Sequence, residues 1–187
     1  MPVKRIPAPT AEALIRPVWV RAVITAVFAA VTVFWQDETL TLLKVAVAGY
    51  FALGATAVWD YAKDEELVPA TVRGPLALGA AAWVLSAVAV IFVGTTTAAA
   101  VIAGVGFVAM GVAELVAGIR GRGAFVPARD QLLLGAVGTL TGAALLVGMQ
   151  LDVHGILGIA GMGVIIMAVL LMISGGGMVH DARRGRD

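Results

Sequence analysis

The stretch Ala98–Gly123, AAAVIAGVGFVAMGVAELVAGIRGRG, is apolar until Glu114 interrupts it, and it closes on Arg120 and Arg122. From Thr95 to Ile119 the only charged residue is Glu114. A helix needs about 20 mostly apolar residues to cross the hydrocarbon core, so this run reads as a membrane-spanning helix ending at a basic interface. A carboxylate inside such a helix is expensive, at about 2.5 to 3.5 kcal/mol for Asp at mid-helix on insertion scales, and it needs a partner, a proton or water.

The rest of the chain has the same character. Of 187 residues, 60% are hydrophobic and 13% charged, with a mean hydropathy of +0.98. Soluble domains carry about 25% charged residues. A formal net charge of +1 without a clustered basic face speaks against nucleic-acid binding, which requires such a face to displace counterions. The absence of cysteine removes disulfides, thiolate metal sites, cysteine nucleophiles and palmitoylation. His154 and His180 lie far apart in the sequence, in no metal-ligand spacing, so neither a metal nor another cofactor is expected. The opening MPVKRIPAPTAEALIRP is polar and proline-punctuated and lacks the plan of a signal peptide, so the first apolar segment is expected to be retained.

Five further runs join the first. Gly74–Gly94, Leu132–Met149 and Gly155–Val179 contain no charge, whereas Val18–Trp35 carries Arg21 and Leu40–Trp59 carries Lys44, each near one end. Long basic side chains placed there can reach the headgroups. Lys4, Arg5 and Arg16 precede the first span, Lys63 and Arg73 flank the second connection, Arg120, Arg122 and Arg129 the fourth, and Arg183, Arg184 and Arg186 form the tail. The other connections, QDET, GTTT and MQLDVH, have no Lys or Arg. Because basic loops stay cytoplasmic, the expectation is six spans in a bacterial inner membrane with both termini in the cytosol. Trp19, Trp35 and Trp59 fall near the interfaces, and Trp83 falls mid-span and is expected to pack inside.

Small residues recur at a fixed interval. Gly49, Gly106 and Gly163 are 57 residues apart at each step, Gly54, Gly111 and Ala168 follow with the same step, and Arg16, Arg73 and Arg129 recur upstream. The fold expected is an all-α integral membrane bundle of six transmembrane helices arranged as three repeated hairpins. In this single membrane domain, residues 1–15 form an N-terminal segment, 16–62, 73–120 and 129–178 the hairpins, and 179–187 a basic tail. Parallel repeats of this kind imply a pseudo-threefold axis along the membrane normal. The pattern GYFALGA (Gly49–Ala55), GFVAMGV (Gly106–Val112) and GVIIMAV (Gly163–Val169) resembles the HdeD family over most of Arg16–Gly175. That resemblance implies a short-repeat bacterial inner-membrane protein of unknown biochemical activity, linked to acid resistance and stress response, with no catalytic residues to carry over.

Two side chains carry the functional question. Glu114 is five residues inward of Ile119, about 7.5 Å at 1.5 Å per residue, and Arg21 is five residues beyond Arg16 from the same face. They reach similar depth, so an Arg21–Glu114 ion pair follows if the first and fourth helices touch. A glutamate snorkelling to Arg120 or water, and a proton or ion relay, are the other readings. Lys44 reads as an anchor within reach of Asp37 or Glu38. Gly104, Gly111 and Gly118 make a stripe on the fourth helix, and Gly135, Gly138 and Gly142 one on the fifth, as close helix packing in lipid requires. Thr25, Thr32, Thr56, Ser86, Thr139, Thr141 and Ser174 can bond to their own helix backbones, and no nucleophile–base motif accompanies them.

These features predict a non-enzymatic bilayer protein or scaffold, with membrane lipid as its partner and a second copy or another membrane protein as further candidates. A small transporter or proton-linked channel using Glu114 and Arg21 is the alternative, and an accessory subunit of a larger membrane complex is a third reading.

Overall fold

The computed structural model describes residues 6–35 and 37–184, which form six helices. They are α1 (Ala8–Phe34), α2 (Leu40–Ala62), α3 (Ala70–Phe92), α4 (Thr96–Gly121), α5 (Ala128–Val147) and α6 (Val153–Arg184). Each is long and apolar enough to cross a membrane, which makes the chain a multi-pass helical membrane protein by the length and composition of its elements. Large apolar side chains point outward, with Leu78 75%, Phe92 81% and Val147 88% exposed, a surface suited to lipid and not to water.

Local chemistry sets the ends. Pro7 caps α1 and Pro9 lies in its first turn, where a fixed φ favours the helix and no amide hydrogen is missed. Thr39 and Thr95 accept from the amides of Leu42 and Ala98 and so cap α2 and α4. Gly123, at φ 82°, turns the chain between α4 and α5 through backbone space that suits glycine.

Two helices extend past the apolar runs in the sequence. α1 starts at Ala8, inside the segment expected to precede the bundle, and α6 continues to Arg184, through most of the expected tail. The added turns bury Ala11 and Leu14 at one end of the bundle's first helix and Ala182 near the end of its last. Hydropathy marks where lipid must be met, whereas these turns are held by protein. The Ile6 amide donates to Asp181 Oδ2 at 3.1 Å and ties the approach to α1 to the last turns of α6. Residues 185–187, with Arg186, and the first five residues, with Lys4 and Arg5, lie outside the described set.

The helices close in sequence order into a ring, each against the next, with α6 returning to α1 and α2 also touching α4 and α6. Short connections make successive helices antiparallel. At one end Ile6 meets Asp181, and Tyr61 near the end of α2 packs edge-on against Phe125 of the α4–α5 connection. At the other end His154 Nδ1 lies 2.7 Å from Glu38 Oε2, and Lys44 Nζ donates to the Val93 carbonyl at 2.8 Å. Among the described residues the arginines and Lys63 lie toward the first end, and Lys44 lies at the second. α1 packs more extensively on α6 than on α2, and α5 more on α4 than on α6, so the pairs adjacent in sequence do not pack as equals.

Candidate functional site: a buried ion pair above a small cavity

Five aromatic rings pack together in the core. Phe28, Tyr50, Phe51, Trp83 and Phe107 come from α1 to α4, all at most 4% exposed, with neighbouring centroids 4.7 to 5.8 Å apart. Trp83 Nε1 donates to the Gly106 carbonyl at 3.0 Å, which satisfies the indole where no water is expected. Glycines make room for the rings: a methyl group on Gly54 would stand 2.6 Å from Trp83, and one on Gly106 would stand 2.5 Å from Phe51.

Arg21 and Glu114 sit beside this plug, toward the basic end. Arg21 Nη1 approaches Glu114 Oε1 to 2.5 Å, with the two side chains 7% and 1% exposed. Glu114 Oε1 and Arg21 Nε make no hydrogen bond beyond this contact. The guanidinium also lies 5.6 Å from the centroid of the Trp83 ring, a cation–π contact. α1 and α4 are not neighbours in the ring, and only the length of the two side chains brings their charges together.

Below the pair is a cavity of about 20 Å³ among α1, α2, α3, α5 and α6, whose polar lining is Arg21, Tyr61, Asp130, Gln131 and Ser174. Tyr61 Oη and Gln131 Oε1 are buried without hydrogen-bond partners. Ser174 Oγ donates to Asp130 Oδ2 at 2.6 Å. That corrects the expectation for Ser174, whose hydroxyl crosses to α5 instead of bonding to its own helix. Thr25, Thr32, Thr56 and Thr141 do bond to carbonyls three or four residues back in their own helices.

Lys44 also differs from expectation. Its ammonium meets the unsatisfied C-terminal carbonyl of Val93, and Glu38 is engaged instead by His154. A cation near exposed helix carbonyls is well placed electrostatically. Arg120 is exposed on the outside of α4 and lines a groove with α3.

The α4–α5 contact is built on glycine. A methyl group at Gly135 would lie 2.6 Å from the Gly111 carbonyl oxygen, one at Gly142 2.5 Å from that of Gly104, and one at Gly118 2.6 Å from Leu132. Gly104 faces Leu146 and the Gly142 carbonyl, Gly111 faces Thr139, Gly138 faces Met167 and Gly163 faces Thr141, while Gly49 has no non-local neighbour within 4 Å. The three glycines spaced 57 residues apart therefore meet different surroundings.

Sequence reasoning overlooked Tyr61, Gln131 and Asp130. All three lie close to helix ends, where polar side chains are ordinarily wetted, and only the tertiary packing turns them inward. Comparison with protein-family models, with curated proteins and with solved structures returned no match for this chain. What fold and site define is a class: a multi-pass helical membrane protein with a buried ion pair beside an aromatic core.

Proposed function

We propose that this chain is a non-enzymatic protein of a bacterial inner membrane, with both termini cytoplasmic, that acts as a scaffold within the bilayer and not as a conductor of solute. The observation carrying this reading is the aromatic plug: five buried rings from α1 to α4, linked ring to ring, fill the core where a carrier keeps its polar, broken-helix binding positions. The Arg21–Glu114 pair is then a structural fastener that joins α1 to α4 across the bundle. The arginines and Lys63 gathered at one end support the orientation, since such loops remain cytoplasmic. The resemblance to HdeD-type repeat proteins supports a role in stress or acid resistance, and the extensive outward apolar surface supports lipid, a second copy or another membrane protein as the partner.

Purified protein in proteoliposomes tests this. The reading predicts proton and small-ion flux at the level of empty vesicles, and Glu114→Gln that lowers thermal stability without altering flux. Flux in the wild type that Glu114→Gln abolishes, with stability intact, would transfer the function to the transporter reading.

A further inference from the structure

The outer face of the bundle carries a groove between α3 and α4 that no helix of the chain fills. Its floor is small where the two helices touch: a methyl group on Gly79 would stand 2.8 Å from the Ala113 side chain. Its rims, Leu78 and Val112, are bulky and exposed. Gly74 also lines it, and a methyl group there would meet no neighbour within 4 Å, so nothing in the packing of the protein requires a glycine at that position. The groove runs from Ala70 to Ala82 on α3 and from Arg120 back to Ala109 on α4. At 1.5 Å per residue these stretches are about 18 and about 16 Å long. The next residues along the same two faces, Leu85 and Val105, are bulky and exposed, and there the groove ends. One leaflet of the hydrocarbon core is about 15 Å deep. The groove therefore has the length of a single leaflet, as an acyl chain does, whereas a helix of a neighbouring protein would lie along both leaflets.

Charge fixes the headgroup. Arg120, at the basic end, is the one polar side chain in the wall of the groove. The cations on the adjacent face are matched already, Arg73 by Glu65 and Lys63 by Asp60, whereas among the described residues no carboxylate pairs with the exposed Arg120. A guanidinium presents a fork of donors that suits phosphate oxygens. The wall holds no carboxylate, so an ammonium group brought in with the phosphate would find no match. We propose that the α3–α4 groove seats one anionic phospholipid, with its phosphate on Arg120 and an acyl chain lying over Gly74, Gly79 and Ala113 as far as Ala109. Basic pockets between membrane helices hold anionic headgroups by the same chemistry. The assignment to the cytoplasmic leaflet rests on the orientation proposed above, and the seat itself does not.

Native mass spectrometry of the full-length protein tests it, with titration in detergent by dioleoyl phosphatidylglycerol and by dioleoyl phosphatidylcholine, which share their chains and differ in headgroup charge. The wild type is expected to retain one phosphatidylglycerol in preference to phosphatidylcholine. Arg120→Gln should lower that preference about fivefold, the factor that one basic residue contributes at an anionic surface. Arg184→Gln, which removes another exposed arginine at the same end, should leave it unchanged. Gly74→Leu, whose side chain has open space, and Ala109→Leu fill the groove and should weaken retention of both lipids. A wild type that holds the two lipids alike overturns the site, and that comparison does not depend on any variant folding. Equal losses from Arg120→Gln and Arg184→Gln also overturn it, because they mark diffuse attraction to the whole basic end. The same spectra count copies of the chain: dimers that Ala109→Leu separates while phosphatidylglycerol retention stays intact would give the groove to a second copy instead. Flux measurements bear on the scaffold reading alone, so the two can fail separately.

Discussion

Arg21 and Glu114 bring opposite charges to 2.5 Å across two helices, α1 and α4, that are not neighbours in the ring. In a low-dielectric interior such a pair gains little net stability over apolar replacements, yet losing one partner strands the other. The pair is therefore better understood as specifying which helices face each other than as a large source of stability.

This asymmetry makes the first prediction. Glu114→Gln or Arg21→Met alone should destabilise the bundle by about 3 to 5 kcal/mol, the range for one partner of a buried pair. The double replacement Arg21→Met with Glu114→Leu should recover most of that loss. Thermal unfolding in detergent or nanodiscs provides the comparison, and a double variant no more stable than the singles would show that the pair does more than neutralise itself.

The glycine seam makes the second. Gly135→Ala and Gly142→Ala drive a methyl group against backbone oxygens of α4, which cannot move aside as a flexible side chain would. Overpacking of this kind costs about 1 to 3 kcal/mol. Gly49→Ala and Gly158→Ala meet no such neighbour within 4 Å and, being inside helices, should gain up to about 1 kcal/mol. Opposite signs for the two sets in the same unfolding assay are the expected result.

A third prediction concerns Lys44. Its bond to the Val93 carbonyl closes the end of α3, and a hydrogen bond to a charged group contributes about 1.5 to 3 kcal/mol. Lys44→Met should lower stability within that range and increase hydrogen exchange in the last turn of α3, while Asp37→Asn should do neither. Loss of exchange protection at the start of α2 instead of the end of α3 would contradict the assignment.

Much of this architecture was legible in the residues because lipid imposes a simple rule: about 20 apolar residues per crossing. The depth of Arg21 and Glu114 could be estimated for the same reason, since helical rise converts residue number into distance. Position around the ring could not be read, and that is what decides partners. Lys44 has Asp37 and Glu38 close in sequence, yet it reaches a carbonyl 49 residues away. Tyr61, Gln131 and Asp130 resemble interfacial residues on a linear chain, and they become cavity lining only when α2 and α5 rotate them inward. The first turns of α1 and the last turns of α6 escaped hydropathy because they are covered by protein and not by lipid.

The aromatic core gives a fourth prediction. Trp83→Ala removes a ring 1% exposed that stacks on Phe51, donates to Gly106 and underlies Arg21, and truncation of such a residue costs about 3 to 5 kcal/mol. Trp83→Phe keeps most of the packing and should lose less than half as much. Equal losses for the two would locate the contribution in the indole hydrogen bond instead of the ring.

The central claim is that six helices cross a bilayer with the basic connections on one face. Because the chain has no cysteine, single cysteines can be placed without background at Asp37, Thr95 or Leu151, and separately at Asp64 or Arg122. Labelling intact cells with a membrane-impermeant maleimide should modify the first three from outside and leave the last two untouched until the cells are opened. Modification of Asp37→Cys and Arg122→Cys from the same side would contradict the account.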